Sequence, residues 1–204
     1  MAVRTDRNRR ATPDSELDRI DEIRAQWARE APHLDTTAVA ILGRVTRVSS
    51  IAGREITRVF AAHDLERGEF DVLATLFRAG QPYELTPTEL YRQLLISSGG
   101  LTHRLNCLEK VGLIARVQSN DDKRSSGVRL SKLGRERVVS AYQDDLALEE
   151  HLLGGLDSTE RATLEKLLRK LHMAVELNVE TIPTAPASAK VRASLSRKAP
   201  VARR

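Results

Sequence analysis

Apolar positions along the chain recur at spacings of three and four, the mark of helices with one buried face. Leu17, Ile20, Ile23 and Trp27 predict a helix from Ser15 to about Glu30, ended by Pro32. On this spacing alone Trp27 reads as a core residue. Ile41, Val45, Val48, Ala52, Ile56 and Val59 form one seam of a long helix, capped by Asp35 or Thr36 and ending near His63. Small residues on its other faces (Ala38, Ala40, Gly43, Ser49, Ser50) admit close neighbours on more than one side. Leu65, Phe70, Leu73, Leu76 and Phe77 predict a third helix over 66–79, stopped by Gly80. Beyond Ser131, Val138, Val139, Tyr142 and Leu146 carry a helix to about Leu153, broken by Gly154 and Gly155. A last helix, capped by Asp157 with Glu160, runs to about Val179 with Leu164, Leu167, Leu168, Leu171, Met173 and Val175 on a broad apolar surface. Such terminal helices require cover, from one another or from a second subunit.

The pattern changes between 86 and 135. Thr86-Pro87-Thr88-Glu89 places a capping hydroxyl, a proline at the first helical position and a glutamate at the third, which predicts a helix from 87 to about Leu95. Ser97 or Ser98 caps a second helix ending near Val111, with Gly112 at the C′ position and Leu101, Leu105 and Leu108 facing inward. Gly99 and Gly100 in its first turn cost roughly 1 kcal/mol each as helical residues. Their benefit is an absence of bulk where the helix start approaches another surface. Leu113–Val117 and Val128–Leu130 then alternate as strands around a polar tip, QSNDDKRSSG, that cannot pack. Helix, turn, helix and a charged two-stranded hairpin make a winged helix-turn-helix. The expected fold is mainly α with a small β-hairpin wing, its N- and C-terminal helices forming a dimerisation region.

Charge sharpens this reading. The chain of 204 residues carries a formal net charge of +5. Residues 97–135 hold eight Lys/Arg against Glu109, Asp121 and Asp122, while the rest of 15–182 is acidic. A basic island on an acidic body points to a polyanion partner, double-stranded DNA. The Arg-rich stretch 1–14 and the Ala-, Pro-, Ser- and Lys/Arg-rich stretch 183–204 lack apolar pattern and are expected to be disordered. Between them the expected regions are 15–64 (dimerisation and ligand site), 65–135 (DNA binding) and 136–182 (dimerisation). Cys107 is the single cysteine, read as a small core residue beside Leu108, and its solitude fits a reducing compartment. There is no apolar run of membrane-spanning length and no signal core, so the expected location is the cytoplasm, with no membrane partner.

Catalytic motifs are lacking, and the five His, at 33, 63, 103, 151 and 172, show no metal-ligand spacing. Neither an enzyme, a cofactor nor a metal site is expected.

The helix pair 87–95 and 98–111, the run Leu108-Glu109-Lys110-Val111-Gly112-Leu113-Ile114, and Asp122-Lys123-Arg124-Ser125 leading to Val128-Arg129-Leu130-Ser131 and Gly134 together resemble the MarR family of dimeric winged-helix regulators. The resemblance covers about 35–180. It implies a recognition helix in the major groove and a wing arginine, Arg124, in the minor groove, held by Asp122. The DNA-contact candidates are Ser98, Gly99, Thr102, His103, Arg104, Lys123, Arg124 and Arg129. The extra N-terminal helix and the run Arg67-Gly68-Glu69-Phe70-Asp71-Val72-Leu73-Ala74 are similar to the urate-responsive branch, the HucR- and PecS-like regulators. That similarity implies a site for a small anionic effector, urate or a related purine, at Trp27, Asp71, Arg104 and Arg116. The plainer reading keeps Arg104 and Arg116 as phosphate contacts and pairs Asp71 with one of them. The implied activity is repression of a pseudo-palindromic operator by a homodimer, relieved by the effector. Rivals are a phenolic or tricarboxylic acid effector, or a winged-helix adaptor that binds protein.

Overall fold

Local capping chemistry sets where the helices begin and end. A computed structural model describes residues 17–94, 100–118 and 126–182. In chain order the elements are α1 (Arg19–Glu30), α2 (Thr37–Ala62), α3 (Arg67–Arg78), β1 (Glu84–Leu85), α4 (Pro87–Gln93), α5 (Leu101–Lys110), β2 (Ile114–Gln118), β3 (Ser126–Leu130), α6 (Lys132–Leu152) and α7 (Ser158–Val179). Asp18, not Ser15, caps α1: its Oδ1 accepts from the Ile20 N–H at 2.7 Å, while Asp21 reaches back to the Asp18 N–H at 3.2 Å. A carboxylate immediately before the first helical residue makes Ser15, outside the described residues, unnecessary as a cap. Thr86 and Glu89 close the box anticipated for α4, with Glu89 Oε2 accepting from the Thr86 N–H at 2.8 Å. Those hydrogen bonds hold the Glu89 carboxyl below its ordinary range.

The end of α5 is a Schellman motif. Gly112 sits at φ 75, its N–H bonds to Glu109 O at 3.0 Å, and the Leu113 N–H bonds to Leu108 O at 2.9 Å. The turn delivers Leu113 and Ile114 straight into the core. There the sheet has three strands, not two, in the order β1-β3-β2, all antiparallel. The two-residue β1 is too short for any alternation to show in sequence. It pairs Glu84 with Arg129 and Leu85 with Val128. Ser131 then locks the hairpin to the next helix, accepting from the Gly134 N–H and donating to Gly112 O at 2.7 Å. A Cβ at Gly134 would collide with the Leu113 carbonyl and lie 2.8 Å from Leu130 Cδ1, so this crossing needs glycine.

Two compact units divide between Leu152 and Leu153. In the first, one core joins the C-terminal end of α2 to α3, α4, α5, the sheet and α6, with Leu73, Leu76, Leu90, Leu108 and Val128 fully buried. Phe60 stacks on Phe70 with centroids 4.0 Å apart. The α2 end is tied to α6 by His63 Nε2 and Asp144 at 2.8 Å and by Arg137, which donates to the His63 carbonyl at 2.5 Å. At the other end of α2, Arg44 pairs with Asp18 and Asp21 of α1, and Ile20 packs against the bare face at Gly43. Trp27 is half exposed on α1 and is not a core residue; Ile20 alone of the α1 apolar positions is buried. The second unit holds α7, capped by Asp157 with Glu160 as anticipated, its apolar face uncovered. Among the described residues no helix is long and apolar enough to cross a membrane.

Candidate functional site

Helix α5 presents two opposite surfaces. Leu101, Leu105 and Leu108 anchor it in the core, and Thr102, His103 and Asn106 stand exposed on the other side. Rigid anchoring behind and polar groups in front are the physical requirements of a helix that reads a groove. Cys107 lies off the buried face, one helical step of about 100° from Leu108. It is therefore only partly covered, with Sγ 3.6 Å from His103 Nε2.

Arg104 leaves α5 on a third side, toward α3. Its guanidinium lies directly on Gly68, where a Cβ would collide with it, and close to Gly100, where a Cβ would lie 3.2 Å from Nη1. Glycine at 68 and at 100 makes the bed in which this side chain rests. One turn along α3, half-buried Asp71 feels the positive charges of Arg67, Arg104 and Arg78. Burial nevertheless wins and pushes the Asp71 carboxyl above its ordinary range. Two of the four anticipated effector residues are thus brought together, and they link the reading helix to α3.

The other two are placed elsewhere. Arg116, on β2, donates from Nε to Glu109 Oε2 at 3.0 Å and from Nη2 to Asn106 Oδ1 at 2.7 Å. Trp27 lines a shallow cleft with Gln26 and Glu30. Arg129 is already engaged: Nε and Nη2 both donate to Glu84 Oε2, at 2.9 and 2.7 Å, across the β1–β3 pairing. A charge neutralised in this way has less to offer a phosphate. Thr102 and His103 are exposed as a DNA contact requires. Ser98, Gly99, Asp122, Lys123 and Arg124 lie outside the described residues.

Sequence reasoning missed three participants. Gly68 had been only one letter in a similar run. Arg67 lies four residues before Asp71 and acts on Asp71 and on Asp145 of α6. Asp145 is buried, and its Oδ1 has no hydrogen-bond partner among the described residues. Burial first, and then the like charge of Glu149, push its carboxyl up against the opposing pull of Arg67. Its helical register with Val138 and Ala141 was the available signal. Between α3 and α6 lies a cavity of about 430 Å³ lined by Phe70, Phe77, Val138 and Tyr142, with Arg78 and Gln143 as its polar groups. Among the described residues no group of three or more His, Cys, Asp or Glu is placed to hold a metal.

Comparison with known proteins fits this geometry. A sequence model of the MarR family matches residues 63–125. The HTH-type transcriptional regulator PecS of Dickeya dadantii is 32% identical over 152 residues, spanning 74% of this chain and 92% of PecS. The multiple antibiotic resistance protein MarR of Salmonella typhimurium is 32% identical over 132 residues, 64% of this chain and 90% of that protein. Among solved structures, a mutant MarR from E. coli complexed with operator DNA superposes with a TM-score of 0.57 at 29% identity, covering 67% of this chain and 96% of that one.

Proposed function

The chain belongs to the MarR family of transcriptional regulators that bind operator DNA, and we propose that it is a cytoplasmic homodimeric repressor released from its operator by a small planar anion such as urate. The observation that carries the effector reading is that Arg104 rests on Gly68 of α3 and its charge acts on half-buried Asp71 one turn along, because this couples the reading helix to a carboxylate. Two copies place their α5 helices in successive major grooves about 34 Å apart. Ser98, Gly99, Thr102, His103 and Arg104 face bases and backbone, Lys123 adds salt-dependent phosphate attraction, Arg129 adds less of it because Glu84 already holds its charge, and Arg124 enters the minor groove. In this reading the anion draws together groups that lie apart in the chain alone: it stacks on Trp27, and its charge repels Asp71 and attracts Arg104 and Arg116. Recruiting Arg116 takes it from Glu109 and Asn106. Release follows only insofar as the anion prefers the arrangement that DNA does not.

Trp27 is the only tryptophan, so its fluorescence is an unambiguous reporter. Urate is expected to quench it and to release DNA from the full-length protein over one concentration range. Asp71→Asn should still bind DNA and respond weakly. Absence of quenching and release ends the urate proposal and leaves DNA binding intact. Gly68→Ala should displace Arg104 and lower DNA affinity without any effector, by on the order of 1 kcal/mol; unchanged affinity in a gel-shift titration would break the proposed link.

The aromatic lining of the α3–α6 cavity favours a second reading, a phenolic effector whose ring enters between Phe70, Phe77 and Tyr142. Release by phenolic acids and not by urate would decide for it.

A further inference from the structure

We infer that the cleft between α2 and the start of α3 is a second effector site, for a small phosphate-bearing anion, and that Arg67 relays its occupancy to the reading helix. The relay, unlike the site, rests on the coupling of Arg104 to Asp71 proposed above. Ser50, Gly53, Arg54, Thr57 and Arg58 lie on one face of α2 and, with Arg67, line a cleft of about 430 Å³. Gly53 leaves the floor bare: a Cβ there would lie 3.5 Å from Arg67 Nη1. Three guanidiniums thus face one small volume, on a body that is acidic outside 97–135. Arg58 is already held by Glu55, through Nη1 at 2.6 Å. Arg54 and Arg67 stand in no ion pair with a carboxylate among the described residues. Like charges gathered without a counterion repel, and an anion that enters offsets that cost.

The donors decide the class of anion. Arginine keeps its charge at every physiological pH, and its fork of N–H groups matches phosphate oxygens. Arg54 Nη1 donates to Ser50 Oγ at 3.1 Å, which leaves the Ser50 proton to donate into the cleft. Thr57 spends its own proton on the Gly53 carbonyl at 2.7 Å. No aromatic side chain lines the cleft, so a planar purine has nothing to stack on there. Ionised phosphate oxygens are acceptors alone and suit donors that arrive from two helices. Arg67 is also one of three positive charges that act on Asp71, with Arg104 and Arg78, and it acts on Asp145 of α6. An anion that draws Arg67 toward α2 leaves Asp71 to rely on Arg104. The reading helix is then held more firmly to α3, and Arg104 has less to give to DNA.

The test is calorimetric titration of the full-length protein with inorganic pyrophosphate, at fixed ionic strength and without divalent cations, beside anisotropy measurements on a labelled duplex that the protein binds. Wild type should bind pyrophosphate saturably and lose DNA affinity over the same concentration range. Arg54→Gln and Arg67→Gln should each weaken pyrophosphate binding about tenfold. Arg169→Gln removes an equal charge from α7 and should change nothing. Gly53→Leu keeps every charge but fills the cleft, and should abolish both the binding and the effect on DNA, with thermal melting as the check that it folds. At saturation pyrophosphate should still release DNA from Arg54→Gln but not from Arg67→Gln. Lack of saturable binding, equal weakening by Arg169→Gln, or undiminished binding by a folded Gly53→Leu would overturn the site. Binding without DNA release, or release that survives Arg67→Gln, would overturn the relay. Failure of urate to quench Trp27 bears on none of these outcomes.

Discussion

Helices α3 and α7 are written in the same periodic script and meet opposite fates. The 12-residue α3 buries Phe70, Val72, Leu73, Ala74 and Leu76. The 22-residue α7 buries nothing, and Leu164, Leu167, Leu168, Met173 and Val175 all stand exposed. Helix α2 contains both behaviours: Phe60 near its C-terminal end is 2% exposed, while Val48 is 64% exposed. At about 25 cal/mol per Å² of apolar surface, uncovered stripes of this length carry a strong drive toward association. The difference teaches that the DNA-reading part is closed within one chain, whereas the long N- and C-terminal helices leave apolar faces that the chain alone does not cover.

Perturbations of the two regions should differ in kind as well as in size. The largest effect is expected inside the reading core, where Leu73→Ala should lower unfolding free energy by about 3 kcal/mol. The loss should appear in urea melts as a shift independent of protein concentration. Next comes Leu168→Glu on the open face of α7. It should weaken self-association by roughly 2 kcal/mol, about thirtyfold in dissociation constant, read by analytical ultracentrifugation. If dilution instead leaves both proteins equally associated, α7 is not an assembly surface. The smallest effect is expected at Asp145. Burial raises its folded-state carboxyl above the unfolded value, so the folded chain holds the proton more tightly and loses stability as pH rises through that interval. Asp145→Asn should therefore stabilise at neutral pH by roughly 1 kcal/mol and not below the ordinary carboxylate range. A loss of stability at neutral pH would instead show that assembly supplies Oδ1 with a donor, which moves Asp145 from the closed region to the open one.

Legibility followed the range of the interactions involved. The capping boxes at Thr86 and Asp157 and the glycine turn at 112 were readable because each lies within one turn of its own helix. The third strand was not, since Glu84 and Leu85 find Arg129 and Val128 more than forty residues away. Trp27 lies at core spacing yet is half exposed, because periodicity defines a face without saying what covers it. The effector cluster split along the same line. Arg104 comes to rest on α3, where its charge reaches Asp71, because Gly68 leaves room for it, whereas Arg116 is occupied by Glu109 and Asn106, side chains whose interest in it no spacing revealed.

The order of helices, their caps, the basic island at 97–135 and the kinship to DNA-binding regulators all follow from the chain as written, because propensity, periodicity and charge are properties of short segments. Folding in three dimensions decided the rest: which arginine lies on which helix, which carboxylate oxygen is buried with no donor among the described residues, and which side chains of α5 hold Arg116. Those outcomes depend on the approach of side chains that are distant in sequence, where differences of a few tenths of an ångström separate a hydrogen bond from an unpaired group.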